Sequence, residues 1–171
     1  MPRNLARIPK GTKVFIDANI FHFYLRGPRN AREICANFLE KVESGEVIGY
    51  TSTLVIDELV YKLMLKRIEE IYRENPLKII KKNRKVISEA ADYVEQGLSV
   101  ILGIENLRIL TIKPIHLENM VEYMKEYSLL PRDSLHVALM IDIECRDIAS
   151  ADSDFDVLPG ITRWTPLREN P

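Results

Sequence analysis

Cysteine is scarce in this chain. Its two, Cys35 and Cys145, stand far apart and outside any CxxC pattern, which excludes a disulfide framework and a thiolate zinc site. Both read as small core residues of a protein in a reducing compartment. An excess of charge of one sign is missing too. The net charge is -1, so any contact with nucleic acid has to be made by basic residues gathered locally. No apolar run approaches the ~20 residues of a membrane span. The basic stretch 1–13 leads into no signal-peptide core, because Asp17 and His22 interrupt it. The expectation is a cytoplasmic protein that meets no membrane. Internal repeats and low-complexity segments are absent. What remains is an ordinary globular composition, 46% hydrophobic and 29% charged. The 171 residues suit a single domain, 1–171, with a real core.

Short apolar runs alternate with helical periodicity. Lys13–Ile16 predicts a buried strand ending at Asp17, and further strands are expected at 47–50, 107–111, 147–150 and 161–164. Helices are predicted over 19–25, from about 30 to Gly45, and from Thr53 to about Arg73, where Asn75-Pro76 ends the third. One long helix is expected over 77–102, with Gly103 as its terminator. Pro114 and Pro131 open two more. Strands separated by helices predict an α/β domain of three layers, α/β/α, with a parallel sheet of about five strands. A helical arm covers roughly 60–104. In such sheets the functional crevice lies beyond the carboxyl ends of the strands.

Four acids fall where that crevice should be. Asp17 and Asp152 each follow a strand. Asp133 opens a helix, and Glu58 lies in the second turn of a helix that follows a strand. Each has a plain structural reading. Asp17 is a helix N-cap, and Asp133 is a favourable charge at a helix N-terminus. Glu58 sits at an apolar stripe's edge and pairs with Lys62. Asp152, Asp154 and Asp156 are turn acids. The acidic loop is no EF-hand, because its Gly and Glu fall at the wrong places. Together, four acids converging on one end of one sheet need an explanation. Clustered carboxylates raise one another's pKa, and a dication reverses that. Oxygen-only ligation favours Mg²⁺ or Mn²⁺ over zinc. His136, one turn after Asp133, reads as a packing or hydrogen-bonding residue and is given no role.

These segments resemble the motifs of the PIN-domain nucleases. Val14-Phe15-Ile16-Asp17-Ala18-Asn19 resembles the first, and residues 51–59, with Glu58 as the acid, resemble the second. Pro131 to Ala138 and Ile148 to Phe155 resemble the third and fourth. The motifs stand in family order and span nearly the whole chain. In size the chain is similar to the VapC-type toxins of toxin–antitoxin pairs, although longer across 60–104. The resemblance implies a five-stranded parallel sheet, dependence on Mg²⁺ or Mn²⁺, RNA cleavage and a homodimer. For toxin members it also implies an antitoxin partner that blocks the site. It implies Asp17, Glu58, Asp133 and Asp152 as catalytic and metal-holding acids, Asp154 as an occasional further acid, and Asn19 and Ser150 as supporting groups. The expected chemistry is phosphodiester hydrolysis by water that one or two ions activate, with no His or Ser nucleophile. Asp17 and Asp152 are expected as inner ligands, with Glu58 and Asp133 binding directly or through water.

RNA contact needs positive charge. Residues 62–85 carry nine Lys or Arg against three Glu, the most basic stretch of the chain. Lys81, Lys82, Arg84 and Lys85 are expected to grip phosphates, with Arg26 and Arg132, beside motif acids, reaching substrate. The alternatives for the arm are a solvated helical face, a dimer interface or an antitoxin groove. Other functions fit less well. A haloacid-dehalogenase phosphatase needs an Asp where Asn19 stands, and a response-regulator receiver needs early paired acids that this chain lacks. An RNA-processing PIN nuclease outside any toxin pair, and a PIN-like module that binds RNA or protein without cutting, remain alternatives.

Overall fold

The computed structural model describes residues 2–167. In chain order the elements are β1 (Arg3–Asn4), β2 (Lys13–Ile16), α1 (Ala18–Arg26), α2 (Arg29–Glu43), β3 (Ile48–Ser52), α3 (Thr53–Tyr72), α4 (Pro76–Lys82), α5 (Lys85–Glu89), α6 (Ala91–Leu102), β4 (Arg108–Leu110), α7 (Pro114–Tyr127), α8 (Pro131–Asp142), β5 (Asp147–Ala149) and β6 (Thr162–Thr165). The strands form one sheet in the order β1-β6-β5-β2-β3-β4, and every pairing is parallel. This is the layered α/β architecture expected from alternating strands and helices.

β2 lies inside the sheet between β5 and β3. Its Val14, Phe15 and Ile16 are fully buried, as an internal parallel strand covered on both faces requires. From β2 the chain runs outward through β3 to β4, then returns to the other side of β2 for β5 and β6. The order therefore reverses between β2 and β5. At such a point the loops leaving adjacent strands diverge and open a crevice.

Packing at β3 is tight enough to test. Gly49 faces α2, and a Cβ there would come 2.5 Å from Val42 Cγ1 and 3.2 Å from Ile16 Cδ1. Gly49→Ala is expected to destabilise the fold by ~1–3 kcal/mol through overpacking, read as a lower Tm in thermal melts. An unchanged Tm would mean that α2 shifts away freely.

One expectation is met with an addition, and one needs correction. The parallel sheet of about five strands is present and gains a sixth, the short β1 beside β6. That strand is two exposed residues and carries no periodic signal. The long helix expected over 77–102 is three helices, α4, α5 and α6. Asn83 takes an extended conformation at φ -148, and its side chain accepts from Lys85 N at 3.0 Å. Such local side-chain bonding competes with helix continuation. The fold-back buries Ile79, Val86 and Ala90 against Ile68 of α3, forming a small second core that a straight helix would leave open. The arm is thus α3 with α4–α6 folded back along it. At its base Arg26 lies 4.1 Å from the centre of the Tyr93 ring, with Arg67 at 5.3 Å. No helix among the described residues is long and apolar enough to cross a membrane.

Candidate active site

Parallel register builds the site's centre. Ile16 pairs with Ala149, so Asp17 and Ser150 leave adjacent strands side by side at the switch point. Asp17 N continues the ladder to Ala149 O at 3.1 Å. The Asp17 carboxylate is buried and has three donors: Ala18 N at 2.6 Å, Ser150 Oγ at 2.7 Å, and Asn19 Nδ2. It therefore caps α1 and faces the crevice at once, so the two readings of this residue are compatible. Asn19 also donates to Ser150 Oγ at 3.0 Å, and its Oδ1 accepts from Ala151 N at 3.0 Å. Asn19 and Ser150 thereby lock the loop after β5 onto the loop after β2 and fix the rotamer of Asp17.

Asn19→Ala removes three of these bonds at once. The variant is expected to lower RNA cleavage by ~10–100-fold, the usual effect of losing an orienting partner, with a smaller change in Tm. Parallel rate and melting measurements check it. A fall in Tm with undiminished cleavage by the folded fraction would reduce Asn19 to a structural link.

Glu58 arrives from the second turn of α3. Ser52 caps that helix by accepting from Val55 N at 3.2 Å, which fixes where the turn begins. Its partner is not Lys62 in a surface pair but His136, whose Nε2 lies 3.4 Å from Glu58 Oε1. The Glu58 side chain is 11% exposed and that of His136 1%. His136 and Asp133 occupy the first two turns of α8, at the same end of the sheet. One ligand atom each from Asp17, Glu58 and His136 lies within 4.8 Å of the others.

Asp133, Asp152 and Asp154 stand outside that trio, with Asp152 and Asp154 close enough for their charges to act on Asp133. Asp152, expected as an inner ligand, is exposed, and its side chain caps the turn 153–157 by accepting from Asp154 N at 3.0 Å. Asp152 N donates to Ser150 Oγ at 2.9 Å. Asp156 is turned away and pairs bidentately with Arg163 at 2.9 and 2.7 Å.

The electrostatics record the crowding. Burial pushes the Asp17 carboxyl above its ordinary value, and Glu58 adds to the rise. Asp133 is pushed up to about 6, chiefly by burial, then by Asp152, Asp17 and Asp154. Burial also acts to raise Glu58, but His136, Lys62 and Arg132 outweigh it and hold it below the usual range. Glu58 Oε1 and His136 Nδ1 are buried and have no hydrogen-bond partner among the described residues. Desolvated carboxylates with an orphaned oxygen are the surroundings that a hard dication stabilises. The donor set fits such an ion, with Asp17 and Glu58 as the residues placed to hold it.

Basic residues flank the acids. A groove of about 400 Å³ runs from Asn19 past His22, Lys62, Leu65 and Lys66 to Glu69 and Pro76, at the start of the folded-back arm. Lys62 is exposed beside Asp17 and Glu58, and Arg132 is exposed beside Glu58. Burial, then Lys62, Lys66 and Arg26, push the pKa of His22 down. Lys81, Lys82, Arg84 and Lys85 are exposed farther out, where Lys82 lies 3.9 Å from Glu74. Sequence reasoning passed over His136 as a site residue and had Lys62 and Lys66 only as members of the basic stretch 62–85. The signal for the first was the Asp133-x-x-His136 spacing, which sets both side chains on one helical face.

The family model described as PIN domain matches residues 14–161. A curated relative, Ribonuclease VapC2 of Methanocaldococcus jannaschii, is 26% identical over 144 residues, 84% of this chain and 87% of the relative. Among solved structures, VapBC2 from Rickettsia felis, bound to a DNA fragment from its promoter, superposes with a TM-score of 0.59. It is 15% identical, over 90% of this chain and 98% of that one. A toxin–antitoxin complex from Klebsiella pneumoniae gives a TM-score of 0.52 at 17% identity, over 91% and 99% of the two chains.

Proposed function

We propose, from the premise that this chain belongs to the PIN domain family, that it is a Mg²⁺- or Mn²⁺-dependent endoribonuclease and the toxin of a VapBC-type toxin–antitoxin pair. The observation that carries the enzymatic reading is the buried Asp17 carboxylate, desolvated at the switch point with Glu58 beside it. Asp17 and Glu58 would hold the ion, and Asp133, Asp152 and Asp154 add negative charge around it. When bound, the ion supplies Lewis-acid chemistry, activating water and offsetting charge that builds on the phosphate.

The protein's own groups do the rest. Asn19 and Ser150 donate to Asp17 Oδ2 and Ala18 N to Oδ1, which holds the carboxylate in one orientation. Lys62 and Arg132 place positive charge beside the acids, where a phosphate must come. The groove past Lys62 and Lys66 gives RNA a path toward the arm, with Lys81, Lys82, Arg84 and Lys85 beyond. Arg26 lies over Tyr93 and shapes this basic surface from the side.

The antitoxin reading is supported by the relatives, since the solved neighbours include toxin–antitoxin complexes. Pairing of two copies is expected through apolar side chains left exposed on α7 and α8, among them Ile115, Leu117, Val121 and Ile141. Sedimentation of the purified chain checks this.

Incubation of the protein with a mixed RNA pool tests the enzyme. Cleavage should require added Mg²⁺ or Mn²⁺ and stop with EDTA; cleavage that persists in EDTA removes the reading. A small upstream reading frame with a DNA-binding fold, whose product co-purifies and inhibits, would support the toxin assignment. The path makes its own prediction. Reversing Lys62 and Lys66 to Glu should weaken RNA binding by ~10-fold or more and lower the salt slope by ~2, since each lysine neutralises one phosphate. Reversing Lys81, Lys82, Arg84 and Lys85 tests the outer arm in the same titration. Unchanged affinity and slope in both sets would assign the arm to surface or interface.

A further inference from the structure

We propose that His136 is a direct metal ligand, so that Asp17, Glu58 and His136 form a mixed oxygen–nitrogen centre that takes Mn²⁺ in preference to Mg²⁺. The proposal rests on the reading of a dication at Asp17 and Glu58 and adds a nitrogen donor to it.

The first support is distance. Ligands held ~2.1 Å from one ion lie ~3.0–3.5 Å apart when adjacent and ~4.2 Å apart when opposite. His136 Nε2 and Glu58 Oε1 are separated by 3.4 Å, the spacing of adjacent ligands. One ligand atom from each of the three lies within 4.8 Å of the others, so side-chain rotation without backbone movement would bring them onto one ion.

The second support is what the imidazole faces. His136 is 1% exposed, wedged with its ring centre 5.5 Å from that of Phe15. A buried histidine that merely packs has its ring nitrogens satisfied by hydrogen bonds. Here Nε2 faces Glu58 Oε1 at 3.4 Å, at the long end of a hydrogen bond, and no other described residue bonds that oxygen. A buried imidazole nitrogen and a buried carboxylate oxygen that meet at this distance beside Asp17 are accounted for when a cation lies between the three.

Ion preference follows from donor type. Mg²⁺ demands oxygen ligands in near-ideal octahedral geometry and keeps several waters. An imidazole nitrogen is a better ligand for first-row transition ions, and carboxylates suit Mn²⁺ as well. A site with two carboxylates and one imidazole therefore ranks Mn²⁺ above Mg²⁺.

The test is pulsed electron paramagnetic resonance on the intact protein loaded with Mn²⁺ alone, beside calorimetric titrations with Mn²⁺ and Mg²⁺. Echo modulation from a directly bound ¹⁴N is expected in the wild type and absent in His136→Gln. That variant should bind Mn²⁺ ~10–100-fold more weakly, with a smaller change for Mg²⁺. Mn²⁺ bound tightly without nitrogen coupling overturns this proposal and leaves the carboxylate centre standing; His136 then only positions Glu58. No Mn²⁺ binding at all overturns both. The wild-type spectrum decides the matter even if His136→Gln fails to fold.

Discussion

Asp17→Asn is expected to lower RNA cleavage by on the order of 10³-fold, ~4 kcal/mol of transition-state stabilisation. Asparagine keeps the size of the side chain and caps helices as well as aspartate does, so α1 still starts where it does. What it loses is the negative charge at the one position where β2 and β5 diverge. The loss should appear in single-turnover rates at saturating Mg²⁺ or Mn²⁺, so that it reports on the chemical step. Circular dichroism should show an unchanged fold. A rate within ~3-fold of wild type would mean that Asp17 is a cap and nothing more.

The second large effect is on stability. The Asp133 carboxyl is raised from 3.8 to about 6 in the fold, by burial first and then by its acidic neighbours. Between those values the folded state keeps a proton that the unfolded state has lost. Stability therefore falls as pH rises from about 4 to about 6, and the whole penalty is present at neutral pH. A shift of this size corresponds to ~3 kcal/mol, and partial exposure reduces it to ~1–2 kcal/mol. Asp17, raised by burial, acts in the same sense. Glu58, Asp142 and Asp156 are lowered in the fold and act in the opposite sense, losing stability as pH falls. The informative quantity is thus the difference between wild type and Asp133→Asn. In EDTA the variant should gain Tm relative to wild type at pH 7.5 and show no such gain at pH 4. Divalent cation at 100 times its Kd should stabilise the wild type by ~2.7 kcal/mol, which raises Tm by ~5–10 °C at this chain length. Equal pH profiles and no cation effect would contradict the crowded site.

Much of this was legible in the sequence because its signals are local. The run Lys13–Ile16 is apolar after its first residue and stops at Asp17, and β2 has those same bounds. Asn75-Pro76 signals the end of the third helix, and α3 ends just before it at Tyr72. Signals that depend on tertiary contact were not legible. Apolar spacing across 77–102 is continuous, yet Asn83 turns the chain so that Val86 and Ala90 reach Ile68. That decision is made by burial, which periodicity does not encode. At the site the order of motifs located the acids, but not which of them would close on Asp17. The parallel register of β2 and β5 explains Ser150, whereas only the approach of α3 to α8 in the fold explains why Glu58 meets His136 rather than Lys62. His136 is buried, and a sequence does not distinguish a packed histidine from one facing two carboxylates.

Anomalous diffraction from crystals soaked in Mn²⁺ addresses the gathering of these distant side chains most directly. The peak should lie within bonding distance of both Asp17 and Glu58 at the carboxyl end of β2. A fully soaked crystal with density at other sites and none between these two residues would contradict it.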